Sequence, residues 1–274
     1  MIIPKVDFCC SLPSREVIEI QGSDREVFLQ GIITQDIKLL HTQPILYSLM
    51  LSPHGKFQFD FFIIQMGDLW LIDIDASRSQ TFLQRLQLFK LRSDVSININ
   101  SEWEVGVSSL PLETKNCFLD PRLKDLDYRF YAKKTVSEKG NDAYQAWRLS
   151  LGVPDGANDM VVDKSIPLEW GMDELNAIAW DKGCYMGQEL TARSRYVGQI
   201  RKRVFPITFK IPGEYRVGEK LCANGLEVGE LRAANGIMGM VLLKLEALQS
   251  EITIDNKPIE VHKPYWMILP DDIF

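Results

Sequence analysis

Asp181-Lys182-Gly183-Cys184-Tyr185-Met186-Gly187-Gln188-Glu189, running on into Leu190-Thr191-Ala192-Arg193, sets a thiol, an ammonium, a phenol, an amide and a carboxylate within nine residues. A hydrophobic core has no use for that mixture. Two glycines bracket the thiol, so the backbone there is free to adopt positive φ or to approach a ligand where a side chain would clash. From Gln188 onward the residues are good helix formers, which places Cys184 just ahead of a helix N-terminus. Unpaired amides at such an end, with Lys182 beside them, are expected to make a thiol more reactive. The competing reading is an inert cysteine in a tight turn.

Around this stretch the chain is ordinary for a folded protein. Its 274 residues are enough for about two domains, and 46% hydrophobic content with 25% charge provides a sizeable core. A net charge of -6 argues against a general nucleic-acid binder or a membrane-surface protein, both of which usually carry a basic excess. Apolar runs such as Phe59 to Ile64 are far shorter than the roughly 20 residues a membrane helix needs. Met1-Ile2-Ile3-Pro4-Lys5 lacks the marks of a signal or transit peptide, so a cytosolic (cytoplasmic) protein is expected. The five cysteines are scattered without a C-x-x-C pair, which suggests free thiols and makes cluster ligation by this chain alone an unfavoured reading. Three dispersed histidines suggest no metal site.

Upstream, Arg15 to Gln21 reads as a strand, and Ser23-Asp24-Arg25-Glu26 matches a capping box ahead of a helix burying Val27, Phe28, Gly31 and Ile32. Alternating apolar residues separated by Pro53-His54-Gly55-Lys56 and Gly67-Asp68 predict an antiparallel meander over 47–75. Ser77 to Arg92 reads as an amphipathic helix, with strands again at 95–99 and 102–107. A charged stretch from Asp120 to Gly140 holds one strand, Asn141 to Leu151 a helix, and Ala157 to Ser165 a mobile loop. Downstream, Arg193, Arg195, Arg201, Lys202 and Arg203 bring five cations into eleven residues, read either as a solvated face or as a seat for carboxylates. Turn pairs at Asn224-Gly225, Asn235-Gly236 and Asp255-Asn256 separate short strands of a small antiparallel barrel. The fold class is α+β, with helices against antiparallel sheet.

Residues 182–189, Lys-Gly-Cys-Tyr-x-Gly-Gln-Glu, resemble the signature of the YgfZ-type folate-binding proteins. Those proteins work late in iron-sulfur cluster assembly and are relatives of the glycine-cleavage T protein. Leu190 to Arg193 resembles the mitochondrial and alphaproteobacterial-like branch. Further likeness lies in Leu29 to Asp36, Trp147 to Gly156, Ile166 to Glu169, Val228 to Arg232 and Gly239 to Lys244. The resemblance implies a three-domain T-protein-like ring of antiparallel α+β domains with a C-terminal barrel. The expected division is a folate-binding region over 1–197, made of two interleaved subdomains with the second over about 42–108, and the barrel over 198–274.

It also implies tetrahydrofolate or a derivative as cofactor, with iron-sulfur assembly proteins or client enzymes as partners. Cys184 becomes the functional thiol, Lys182 its electrostatic neighbour, and Tyr185, Gln188 and Glu189 the scaffold around it. Glu169 would meet the pterin edge through a bidentate carboxylate, and Arg193, with Arg201 or Arg203, would serve the glutamate tail. Gln30, Thr34 and Asp36 are read either as ligand contacts or as the cap of their helix. The T-protein has an acidic pair where this chain has Phe59-Asp60, so one acid is missing. The alternative function is a tetrahydrofolate-dependent aminomethyltransferase or demethylase, a transferase in which Asp60 is the acid-base group.

Overall fold

The computed structural model describes residues 3–114, 116–133, 140–198 and 200–269. Strands β1 (Cys9–Ser11) and β2 (Arg15–Gln21) lead into a short helix, α1 (Arg25–Gln30). The expected meander follows as β3 (Ile45–Leu51), β4 (Phe57–Met66) and β5 (Leu69–Asp75). Helix α2 (Ser79–Lys90) is succeeded by β6 (Ser96–Ile99) and β7 (Trp103–Ser108). Then come β8 (Cys117–Leu119), β9 (Tyr128–Lys133), α3 (Asp142–Ser150) and the single turn α4 (Gly156–Asp159). Residues 134–139 of the predicted 120–140 stretch lie outside the described residues. Helix α5 (Gln188–Tyr196) carries the chain to β10 (Lys202–Phe209), β11 (Lys220–Ala223), β12 (Leu226–Asn235), β13 (Met238–Lys244), β14 (Thr253–Ile254) and β15 (Lys257–Val261).

The pairing makes three antiparallel units. A five-stranded sheet runs β3-β4-β5-β2-β6, a four-stranded sheet runs β1-β7-β9-β8, and the last six strands close a barrel. Alternation along β4 sends Phe61 and Ile63 under α1 and α2, and Phe62 and Ile64 into a core shared with the second sheet and the barrel. Because both faces are covered, β4 is buried from Phe57 to Ile64, which is why its sequence reads as a nearly unbroken apolar run. The barrel's turns carry the backbone their residues favour, with positive φ at Asn224, Gly225, Gly236, Asp255 and Asn256. No helix among the described residues is long and apolar enough to cross a membrane.

Some local expectations are corrected. Strand β2 joins the meander by pairing with β5, while β7 pairs with β1 and β9 in the other sheet. Partner choice depends on facing side chains, which an alternation pattern does not carry. The capping box does not form, because the Ser23 hydroxyl donates to Asp94 at 2.9 Å and Glu26 meets His41 instead. Val27, expected to be buried, is exposed. The supposed loop at 157–165 is held to β4 by backbone bonds from Phe57 to Ser165 and from Asp163 to Phe57.

Candidate functional site

The signature stretch lies against the turn between β3 and β4, and two glycines make that approach possible. Gly187 sits at φ +83°, and a Cβ there would lie 2.5 Å from the Ser52 carbonyl oxygen. Gly55, at φ +65°, faces it across the contact, where a Cβ would come within 3.2 Å of the Gly187 carbonyl oxygen. Helix α5 then starts at Gln188, as its composition predicts, and Cys184 is exposed on the loop ahead of it.

Lys182 fixes the other side of this loop. Its ammonium donates to the carbonyl oxygens of Gln30 at 2.8 Å, Ile33 at 2.7 Å and Gln35 at 2.8 Å. All three protons are thereby engaged by backbone at the end of α1 and just past it. Burial pulls Lys182 down to about 8, while the three acceptors favour its charged form. The expected partner of the thiol is thus first an anchor between two loops. Tyr185 is buried with the Lys182 ammonium 5.2 Å from its ring centre, its phenol oxygen has no hydrogen-bond partner among the described residues, and burial pushes its pKa up to about 12.

Gln30 and Thr34 belong to the same anchor. The Gln30 amide donates to Asp36 at 2.9 Å and accepts from the Ile37 amide at 3.0 Å. Thr34 is fully buried, donating to the Ala177 carbonyl at 2.6 Å and accepting from the Leu49 amide at 2.9 Å. Thr34 therefore presents nothing to a ligand, and Asp36 caps the following turn through the Lys38 amide.

Asp60 lies elsewhere, on the inner face of β4. It is 3% exposed, accepts from the Tyr47 hydroxyl at 3.1 Å, and is covered by Gly156, where an added Cβ would stand 2.4 Å from the carboxylate. Burial raises its pKa against the opposing pull of Arg15. A carboxylate sealed in this way has no path to a substrate, so the arrangement does not fit the pterin chemistry expected of Asp60. Nearby, Asp73 accepts from Arg15 at 2.6 Å, Arg129 at 2.7 Å and Tyr131 at 3.0 Å. Asp120 pairs with Arg122, and Asp159 with Arg148, each at 2.7 Å. The sequence offered no signal for the Asp73 contacts, whose partners are far apart in the chain.

Glu169 lies on a 3-10 turn (Pro167–Trp170) against which α5 packs. Burial raises its pKa, with Lys202 and Lys56 opposing. Beside it, a pocket of about 390 Å³ is lined by Lys56, Pro167, Leu168, Thr191 and Arg193 among others. Glu189 and Arg193 are exposed and Gln188 is half-buried, so these three remain available on α5. Arg203 is corrected from a tail contact to a buried partner of Glu174. The candidate residues thus divide among an anchor, a sealed acid and an open groove along α5. Lys56 was missed because it lines the same pocket as Arg193 only through the fold, the two being far apart in sequence.

Residues 201–268 match the family described as CAF17, C-terminal beta-barrel domain. The iron-sulfur cluster assembly factor IBA57 homolog of Mycosarcoma maydis is 30% identical over 74% of this chain and 57% of its own length. The Dictyostelium discoideum homolog is 31% identical over 73% of this chain and 62% of its own. The Homo sapiens factor is 27% identical over 90% and 80%. The chain therefore spans little more than half of the Mycosarcoma maydis relative. All three are named as mitochondrial, which overturns the cytosolic expectation drawn from the first residues. In fold, the glycine cleavage aminomethyltransferase T of Bartonella henselae superposes with a TM-score of 0.73, covering 96% of this chain and 87% of that one at 13% identity. The chain is thus similar in sequence to IBA57 iron-sulfur cluster assembly factors, shares the fold of aminomethyltransferase T, and over 201–268 matches the CAF17 C-terminal beta-barrel.

Proposed function

We propose that this chain assists the assembly of iron-sulfur clusters in other proteins, with Cys184 as the working thiol. One observation carries the reading: Cys184 is exposed on a loop anchored by Lys182 on one side and by the Gly187–Gly55 contact on the other. A reactive thiol needs access and a fixed position, and an inert structural cysteine needs neither. The named role of the relatives supports the same direction. The test is to restore cluster-dependent enzyme activity in cells lacking their own factor. Wild type is expected to restore it and Cys184→Ala to fail at equal abundance; normal rescue by Cys184→Ala would remove the thiol from the mechanism.

The reading extends to a reduced folate in the pocket beside Glu169, with Arg193 and Lys56 toward its carboxylates. The bound group would supply a one-carbon carrier, and the residues named here would only hold and orient it. Titration with tetrahydrofolate should give saturable binding, and Arg193→Ala should weaken polyglutamyl forms more than monoglutamyl ones. Equal weakening of both would remove Arg193 from the tail. With Asp60 closed off beneath Gly156, the geometry does not favour aminomethyl transfer.

A further inference from the structure

A cleft of about 970 Å³ opens where α5 meets the barrel, with Arg195, Arg201, Lys202 and Lys244 on its walls and Glu246 as the acidic residue among those lining it. It shares Ser194 and Gly198 with the pocket that holds Lys56 and Arg193, so the two form one groove along α5. Some of these cations are already engaged. The Arg195 guanidinium stacks 4.1 Å from the Trp180 ring centre, and Lys244 lies 3.9 Å from Glu246. Arg201 and Lys202 are exposed and have no ion-pair partner among the described residues. In a chain of net charge -6 this groove is a local reversal of sign, the pattern that steers an acidic partner to one face.

The groove is also not purely polar. Tyr196, Val197 and Ile268 are 69%, 77% and 76% exposed beside it, a mixture of arginine, tyrosine and aliphatic surface typical of protein contacts. A small polyanion would leave that apolar rim wet, and a nucleic acid would meet an acidic protein on either side. Along α5 the rise of about 1.5 Å per residue puts Arg195 on the order of 10 Å from Gln188, just beyond which the signature loop begins. A partner burying about 800 Å² on this side would cover both.

We propose that this groove docks an acidic segment of a partner protein, with its carboxylates on Arg201 and Lys202 and an apolar side chain over Tyr196 and Val197. The docked segment holds the partner over Cys184, and in that respect the inference rests on the thiol's role in assembly. The probe is a rhodamine-labelled peptide of glutamate pairs alternating with leucine, titrated into the full chain by fluorescence anisotropy. Saturable binding is expected, weakened roughly tenfold or more by Arg201→Glu with Lys202→Glu, weakened by added salt, and unchanged by Cys184→Ser. Arg201→Gln with Lys202→Gln should fall between, and all variants are compared at equal thermal stability.

Equal binding by the charge-reversed chain, or equal binding of a glutamine-for-glutamate peptide, would overturn the proposal. So would full competition by free triglutamate at the peptide's own concentration, which would mark a small-anion site. Charge reversal that leaves cluster rescue intact while Cys184→Ala abolishes it would sink the docking groove alone; the opposite pair of results would sink the thiol alone.

Discussion

At Lys182 an ammonium has left water and found three carbonyl oxygens in exchange, a full set of partners for its three protons. Removing it would strand those acceptors in a largely buried place, at about 1 kcal/mol or more for each. Lys182→Met is therefore expected to lower unfolding free energy by about 2–4 kcal/mol in urea denaturation. Lys182→Arg should not restore it, because a planar fork cannot replace a compact head where three acceptors converge. A loss below about 0.5 kcal/mol would mean that water serves the carbonyls as well as lysine does. Residue chemistry was legible in the sequence as a list of groups. Their partners were not legible. Lys182 meets carbonyls some 150 positions away, and Asp60 meets Gly156; both contacts exist only once the sheets have closed.

At the scale of elements, the loop ahead of α5 owes its position to backbone that no side chain could share. Gly187 combines φ +83° with a carbonyl oxygen 2.5 Å from where a Cβ would be. Gly187→Ala therefore adds a left-handed alanine, which costs roughly 1–2 kcal/mol, to a clash with main chain that cannot swing aside. The expected result is a loss of about 2 kcal/mol or more in stability, with faster alkylation of Cys184 as its loop comes away from the 53–56 turn. Gly183→Ala is the control, since nothing lies within 4 Å of a Cβ there. Equal behaviour of the two variants would remove the packing argument. Strands and helices themselves were legible wherever one face was buried, as in α2 with Phe82 and Leu86. They were misread where a distant residue intervened, as Asp94 does when it takes the hydroxyl of Ser23 from the helix it should cap.

Across the molecule, Asp73 on β5 accepts from Arg129 and Tyr131 on β9, so one carboxylate ties the five-stranded sheet to the four-stranded one. Burial pushes this carboxyl upward, but Arg129 and Arg15 outweigh burial and hold it below its ordinary value of 3.8. Asp73→Asn would leave two buried guanidiniums without a counter-charge, a loss of about 3–5 kcal/mol at neutral pH. The pH dependence has a definite sign. Between the folded value and 3.8 the unfolded chain binds a proton at Asp73 that the folded chain does not, so stability from this group is complete above that window and is lost as pH falls through it. The neutral asparagine resembles the protonated acid, so the gap between wild type and Asp73→Asn should narrow as pH falls below 3.8. The gap, rather than either curve, isolates Asp73, because Asp60 and Glu169 are raised by burial and contribute with the opposite sign. Chemical denaturation of both proteins from pH 7 down to about 2 measures it. A gap near zero throughout that range would show that the two sheets are held together by their shared core alone, with the Asp73 ion pairs adding nothing to the join.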